Sequence, residues 1–137
     1  MNTSELNLLS NPDEVENVLG WLNDALAGSQ IEEEQFIQFR YAVVEAVNNC
    51  IEHSYELQPD KPIKLVCETS NNWIAVTIQD QGVPFNIPDD IGHDASLTDE
   101  SGRGLAIIKA WVSSVHTSHA EGWNTTKLVR RTNQTDC

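Results

Sequence analysis

Apolar residues recur at intervals of three and four positions in two stretches of the N-terminal half, and this spacing predicts two amphipathic helices. The first helix begins after Asn11-Pro12, because Asn is a good N-cap and Pro suits the first helical position. We expect it to end at Gly28, since glycine is typical of helix C-termini. Its apolar positions are Val15, Val18, Leu19, Leu22 and Leu26.

The second helix begins at residues 29–32, Ser-Gln-Ile-Glu, whose serine and glutamate have the spacing of a capping box. It runs to about Tyr55. Its apolar stripe consists of Phe36, Phe39, Val43, Ala46, Val47, Cys50 and Ile51. We expect this stripe to face the core, with Cys50 and the later Cys67 as small buried residues.

Stretches rich in β-branched and aromatic residues predict two hairpins in the rest of the chain. The first hairpin comprises residues 63–69 and 73–79, and the second comprises residues 115–120 and 123–131. Residues 104–112 predict a short helix between them. The predicted order is therefore helix, helix, hairpin, long loop, helix, hairpin.

This order indicates an α+β fold, a two-layer α/β sandwich with helices on one face of a mostly antiparallel mixed sheet. Strands bunched in hairpins argue against a Rossmann sheet, which needs alternating strands and helices. The length of 137 residues suits a single domain over residues 1–137, with a polar tail at residues 132–137.

The net charge of −13 argues against direct nucleic-acid binding, which needs a basic face. It leaves room for an anionic ligand held by backbone N–H groups and a metal ion. No apolar run approaches membrane-spanning length, and residues 1–9 lack the regions of a signal peptide. The three cysteines are too widely spaced for a zinc motif. We expect a cytoplasmic protein.

The first candidate motif, Glu-Ala-Val-Asn-Asn-Cys-Ile-Glu-His at residues 45–53, lies on the second helix. Glu45 and Asn49 are four positions apart, so they share one helix face, about 6 Å apart along the axis. A carboxylate beside a carboxamide could serve as a general base and a magnesium ligand. The alternative is a solvated polar face. His53 lies one turn further, and we favour a role at the helix C-terminus over a phosphate contact.

The second motif, Asp-Gln-Gly-Val-Pro-Phe at residues 80–85, directly follows a predicted strand. Asp80 could accept a hydrogen bond from an exocyclic amine such as that of adenine. Gly82 would let the backbone approach a flat base, while Pro84 and Phe85 would stiffen and seal the loop. The alternative is an ordinary turn, because Asp, Gly and Pro are turn residues.

The third motif, Ser-Gly-Arg-Gly-Leu-Ala-Ile-Ile at residues 101–108, comes after a long segment of little periodicity. Gly102 and Gly104 precede a predicted helix, so backbone N–H groups could meet phosphates there, and Arg103 could add a charged contact. The alternative is a flexible loop closing onto a helix cap. The pattern is not a P-loop, because GxxxxGK[ST] is absent.

In this order the three motifs resemble the N box and the two glycine boxes of the Bergerat ATPases, the superfamily of gyrase, histidine kinases and mismatch-repair ATPases. The strings EAVNNCIEHSY, DQGVPF and SGRGLAII are most similar to those of the anti-sigma-factor serine kinases. The resemblance covers roughly residues 5–131 and implies the Bergerat ATP-binding fold, with residues 86–100 as the ATP lid.

The resemblance implies that Glu45 is the catalytic base, which takes the proton from a partner's serine or threonine hydroxyl. It implies ATP and Mg²⁺ as cofactors, with Asn49 as the metal ligand and Asp80 as the partner of the adenine amine. The nucleotide-binding residues that it implies are Asn49, Asp80, Gly82, Pro84, Phe85, Gly102, Arg103, Gly104, Leu105 and Thr126.

The function implied is that of a serine/threonine protein kinase and partner-switching regulator. Its substrate would be a small anti-anti-sigma-type protein, and it would also hold a sigma factor or another regulatory protein. A homodimer is possible. The main alternative is a non-catalytic ATP-binding module that sequesters a protein partner. A detached histidine-kinase catalytic domain is less favoured, since no helix with an acceptor histidine precedes the motifs.

Overall fold

One antiparallel sheet and a layer of helices make up the fold in the computed structural model, which describes residues 2–29, 31–84 and 107–132. The strands are β1 (Asn2–Leu9), β2 (Pro62–Thr69), β3 (Trp73–Asp80), β4 (Ser114–Ala120) and β5 (Trp123–Arg131). The α-helices are α1 (Val15–Ala25) and α2 (Glu33–Asn49). A 3-10 turn (Pro12–Glu14) precedes α1, and a π turn (Cys50–Ser54) continues α2.

The strand order is β1-β2-β3-β5-β4, and every pairing among these described strands is antiparallel. The two predicted hairpins are β2-β3 and β4-β5. Residues 107–111 are helical, in agreement with the predicted third helix, whose residues 104–106 lie outside the described part of the chain. The predicted α+β sandwich is therefore confirmed.

Strand β1 is the element that the hydrophobic pattern failed to predict. It lies at the sheet edge and pairs with β2 along its whole length, with Leu6 opposite Leu65 and Leu8 opposite Ile63. Leu8 is buried, whereas most of the strand is polar and exposed. An edge strand covered on one face needs only a few apolar residues, so its sequence signal is weak.

Neither predicted helix cap forms the expected side-chain hydrogen bond. Asn11 is at the predicted N-cap position and Pro12 follows it, but the Asn11 carboxamide forms two hydrogen bonds with Asp60 instead, at 2.9 and 3.1 Å. The capping box at residues 29–32 is wrong: α2 begins at Glu33, and the Ser29 hydroxyl donates to the Leu26 carbonyl. Helix α1 ends at Ala25, before Gly28. Asn11 thus bonds a distant residue and Ser29 bonds a residue of the preceding turn, instead of capping a helix.

The core lies between α1, α2 and the inner face of the sheet. The predicted stripe of α2 is confirmed, since all its members are buried except Phe36, which packs partly buried against the core. Fully buried partners on other elements include Val18, Leu22, Leu65, Ile74, Val76, Ile78, Ile108 and Leu128. Cys67 is also buried, as predicted. The C-terminal end of α2 lies at the end of β3, where Cys50 contacts Asp80.

The predicted polar tail begins with a buried residue. Thr132 is 4% exposed, and its backbone N–H donates to the Asn72 carbonyl at 3.0 Å. Residues 133–137 lie outside the described part. No helix among the described residues combines the length and apolar character needed to cross a bilayer.

Candidate nucleotide-binding site

A small pocket lies where the end of α2, the end of β3 and the start of β5 meet. Three of the predicted site residues, Asn49, Asp80 and Thr126, line it together. Its other described lining residues are Ala46, Cys50, Ser54, His119, Asn124 and Thr125. The sheet explains the convergence, because antiparallel pairing places Asp80 directly opposite Asn124.

Asp80 is the one carboxylate among the described lining residues of the pocket, and it is 3% exposed. Its Oδ1 accepts hydrogen bonds from the Gly82 backbone N–H at 2.9 Å and from Asn124 Nδ2 at 2.8 Å. Its Oδ2 accepts one from the Cys50 thiol at 3.3 Å. A buried carboxylate is costly unless hydrogen bonds compensate its desolvation, and these three donors supply that compensation.

Cys50 is the first residue of the π turn, and the predicted helix does continue to Ser54, although in this wider form. Burial, and next the charge of Asp80, raise the pKa of the Cys50 thiol well above its ordinary value. The thiol therefore stays protonated and donates a hydrogen bond to Asp80. π turns inside helices occur often at functional sites.

Asn49, the last residue of α2, is 6% exposed and lines the pocket. Its Nδ2 has no hydrogen-bond partner among the described residues. Buried polar groups nearly always have a partner, so an amide nitrogen without one among the described residues is available to a polar ligand at this pocket wall.

Gly82 has a structural role that the sequence analysis did not foresee. A Cβ at this position would lie 2.5 Å from the Ser54 carbonyl carbon, 2.9 Å from Tyr55 Cδ1, and closer still to the Ser54 oxygen. The next residue, Val83, donates its N–H to that oxygen at 2.7 Å. The glycine thus allows the loop after β3 to pack directly on the π turn.

Tyr55 also holds the loop after β3, through its hydroxyl group. Its hydroxyl donates to the Pro62 carbonyl at 2.6 Å and accepts from the Gln81 backbone N–H at 2.7 Å. Burial is the main cause that raises the pKa of Tyr55, and the nearby charge of Asp80 adds to it, against the lowering effect of the Gln81 bond. The neutral hydroxyl therefore ties the end of the helix to both strands beside the pocket.

Glu45 lies one turn before Asn49 on α2 and is half-buried. Of the pair predicted on one helix face, Asn49 lines the pocket and Glu45 is not among its described lining residues. His53 lies in the last helical turn, with Nε2 4.0 Å from Glu52 Oε1. Pro84 is exposed at the end of a described segment.

The remaining predicted site residues lie outside the described part of the chain. They are Phe85, the segment 86–100, Gly102, Arg103, Gly104 and Leu105.

The donor set suits magnesium better than a metal held by protein ligands alone. Among the described residues, no group of three or more His, Cys, Asp and Glu side chains could hold a metal ion. Magnesium keeps several waters and needs only one or two oxygen ligands from the protein beside substrate phosphates. The Asn49 carboxamide at the pocket wall, with Glu45 one turn away, fits that requirement.

Several contributors to this site were not predicted from the sequence, among them Cys50 as a pocket residue, Tyr55, His119 and Asn124. Asn124 carried a usable signal, because asparagine is depleted in strands and stands here inside a run of β-formers. The others had none, since their roles depend on the packing of the π turn and on strand register.

Comparisons with known proteins agree with this geometry. The chain is 28% identical over 86 residues to the anti-sigma F factor of Oceanobacillus iheyensis, covering 60% of this chain and 59% of that protein. It is 26% identical over 91 residues to the serine-protein kinase RsbW of Listeria monocytogenes, covering 61% of this chain and 58% of that protein. The matches span about three-fifths of the length of these curated relatives.

Solved structures share the fold. The RsbU and RsbW domains of a Mycobacterium tuberculosis protein superpose with a TM-score of 0.69 at 20% identity, over 96% of this chain and 32% of that chain. The Acinetobacter baumannii histidine kinase AdeS superposes with a TM-score of 0.51 at 16% identity, over 98% of this chain and 69% of that one.

The family model of the histidine kinase-like ATPase domain matches residues 8–130. This match covers both helices, the pocket and strands β2 to β5 up to residue 130, and it leaves out residues 2–7 of β1. An ATPase domain of this kind implies ATP as the ligand. The chain therefore belongs to the family of histidine kinase-like ATPase domains.

Proposed function

We propose that this chain is an ATP- and Mg²⁺-dependent serine/threonine protein kinase that also acts as an anti-sigma-factor-type partner-switching regulator. Its substrate would be a small anti-anti-sigma-type protein. One observation carries the proposal: Asp80 is buried and hydrogen-bonded at the wall of a pocket that also holds the orphaned amide of Asn49. The similarity to an anti-sigma F factor and to a serine-protein kinase supports this choice among ATPase functions.

Asp80 would recognise the base of ATP. Its Oδ2 accepts one hydrogen bond within the described residues, from Cys50, and a carboxylate oxygen can accept two. The exocyclic amine of adenine is a donor of the right kind for the second position. Burial makes this contact selective, since a ligand without a donor would leave the carboxylate less well satisfied.

Asn49 would hold magnesium through its amide oxygen, and its nitrogen would meet a phosphate oxygen or a water. Magnesium bound there would neutralise the charge that develops on the transferred phosphoryl group. The glycines and Arg103 of the third motif would hold the phosphates through backbone N–H groups and one fixed charge.

Glu45 would act as the general base. It is a half-buried carboxylate one helical turn from Asn49, about 6 Å along the axis, which suits a group that meets the hydroxyl of an incoming protein. It would accept the proton of the partner's serine or threonine as that oxygen attacks phosphorus.

The acidity of the chain would contribute to partner exchange. A net charge of −13 attracts a basic partner surface and repels one that has just gained a phosphate. Phosphorylation of the substrate would therefore speed its release and free the kinase for its other partner.

A second candidate is a non-catalytic ATP-binding module that sequesters a protein partner. The observation that favours it is the position of Glu45 outside the described pocket lining. Such a module would need Asp80 and Asn49 but not Glu45, so substitution of Glu45 separates the two functions.

The test of nucleotide binding is isothermal titration of ATP with Mg²⁺ into the wild type and Asp80→Asn. Loss of a charged acceptor costs about 1.5–3 kcal/mol, so affinity should fall by roughly 10- to 150-fold while the fold is kept. Asp24→Asn, an exposed position on α1, is the matched control and should bind like the wild type. Equal affinities for the wild type and Asp80→Asn would remove Asp80 from the site.

The test of catalysis starts with a pull-down with and without ATP, followed by mapping of any phosphorylated residue on the captured protein. Glu45→Ala should keep ATP binding and lose about 100-fold or more of the transfer rate to that protein. Glu34→Ala, exposed on the same helix, is the control. If Glu45→Ala transfers phosphate at the wild-type rate, the kinase assignment of Glu45 is wrong.

A further inference from the structure

Asn124 occupies an unusual place for its residue type. It lies inside β5, opposite Asp80 in the strand register, and is 7% exposed. Buried asparagines are costly in a strand unless the carboxamide is satisfied, and this one makes three hydrogen bonds. Its Nδ2 donates to Asp80 Oδ1 at 2.8 Å and to the Gly82 carbonyl at 2.9 Å, and its Oδ1 lies 2.7 Å from His119 Nδ1.

These partners permit only one orientation of the amide. Asp80 Oδ1 and the Gly82 carbonyl are both acceptors, so both need the NH₂ group. The amide oxygen must then face His119, whose Nδ1 acts as the donor. The β4-β5 hairpin thereby holds Asn124 with its two donors toward the loop after β3.

The consequence concerns Asp80. Its Oδ1 accepts from both Gly82 N and Asn124 Nδ2, which fills the two acceptor positions of that oxygen. Its Oδ2 accepts from Cys50 alone within the described residues. Within the described residues, one acceptor position on Oδ2 beside Cys50 is therefore left, and a ligand donor could fill it.

We infer that Asn124 is a positioning residue that fixes the Asp80 carboxylate with only Oδ2 available to ligand, and so sets the preference for a nucleobase with an exocyclic amine at C6. This inference rests on the proposed binding of ATP and deepens it. Without the Asn124 amide, Oδ1 regains an acceptor position and the carboxylate can turn. The site then binds an amine less specifically, while its contacts with sugar and phosphates are unchanged.

The experiment compares two ligands that differ in the amine alone: ATP and purine riboside triphosphate, which carries hydrogen at C6. Isothermal titration with Mg²⁺ gives their affinity ratio for the wild type, for Asn124→Ala and for Lys127→Ala. Lys127 lies on the same strand, away from Asp80, and controls for changes in β5. Thermal unfolding of each variant reports on the fold.

We expect the wild type to prefer ATP, Lys127→Ala to keep that preference, and Asn124→Ala to reduce the ratio by about tenfold, the effect of one well-placed hydrogen bond. Asn124→Ser keeps one hydroxyl donor and should show a smaller reduction, and it serves if Asn124→Ala does not fold. An equal loss of affinity for both ligands would show a structural role only and overturn the inference, as would an unchanged ratio. A wild type that binds ATP without preferring it overturns the inference and the proposed contact of Asp80 with the adenine amine, but it leaves ATP binding standing. A wild type that binds neither ligand overturns the proposed function as well.

Discussion

Replacement of Gly82 by alanine tests the packing of the loop after β3 on the π turn. The added Cβ would lie 2.5 Å from the Ser54 carbonyl carbon, while ordinary van der Waals contact begins at 3.4 Å. The two backbone segments would have to separate by about 1 Å, because neither a carbonyl group nor the ring of Tyr55 can rotate out of the way.

The cost follows from two terms. Overpacking of this kind costs about 1–3 kcal/mol, and the separation also weakens the Val83–Ser54 hydrogen bond, which contributes about 1 kcal/mol. The free energy of unfolding should therefore fall by about 2–4 kcal/mol. For a domain of 137 residues this corresponds to a decrease of Tm by about 8–15 °C.

Calorimetry or circular dichroism on heating measures the change, with urea unfolding as a second estimate of the free energy. Gly20→Ala is the matched control, since a Cβ at that exposed helical position meets nothing within 4 Å. Alanine should stabilise α1 there by up to about 1 kcal/mol. A Gly82→Ala protein as stable as the wild type would show that the loop does not pack on the π turn as described.

Other expectations concern buried hydroxyl and thiol groups. Burial raises the pKa of the Cys67 thiol from an ordinary 9.0 to about 12, so on raising the pH the thiol ionises first in the unfolded chain. The stability that the neutral, buried thiol contributes is therefore complete below pH 9 and is lost as the pH rises toward 12. At pH 10 the free energy of unfolding should be lower by about 1.4 kcal/mol for this reason. Cys67→Ala should remove this part of the decrease when the free energy is measured by urea unfolding at several pH values. If the pH profile of Cys67→Ala equals that of the wild type, Cys67 is not the cause of the decrease. Tyr55→Phe leaves the Pro62 carbonyl and the Gln81 N–H without their partner and should cost about 1–3 kcal/mol in the same assay, whereas the exposed Tyr41→Phe should change it by less than about 0.5 kcal/mol.

Periodicity predicted the elements that bury a full face, and it failed where one residue's partner is distant. The α2 stripe and the β2-β3 hairpin were predictable because each repeats its apolar positions over several turns or pleats. Strand β1 was not, since it buries only Leu8, whereas β2 buries every second residue. Asn11 occupies the predicted N-cap position, but it makes no side-chain cap because Asp60, far along the chain, binds its carboxamide.

The candidate site shows the same division. Asp80 and Asn49 could be named from local motifs, and the structure brings both to one pocket. The donors that hold Asp80 come from the π turn, from the loop after β3 and from β5, and only tertiary packing assembles them. The contact of Asn124 with Asp80 could therefore not be predicted from residue spacing, although asparagine is unusual in a strand.

The wide turn at the end of α2 has a mechanical consequence. The Ser54 carbonyl, which a longer helix would have used for its own next turn, accepts the N–H of Val83. The chain that leaves the sheet after β3 is thus anchored to a helix end within three residues, and both its starting point and its initial direction are set there. A shift of the helix end would therefore displace the start of the segment that follows β3.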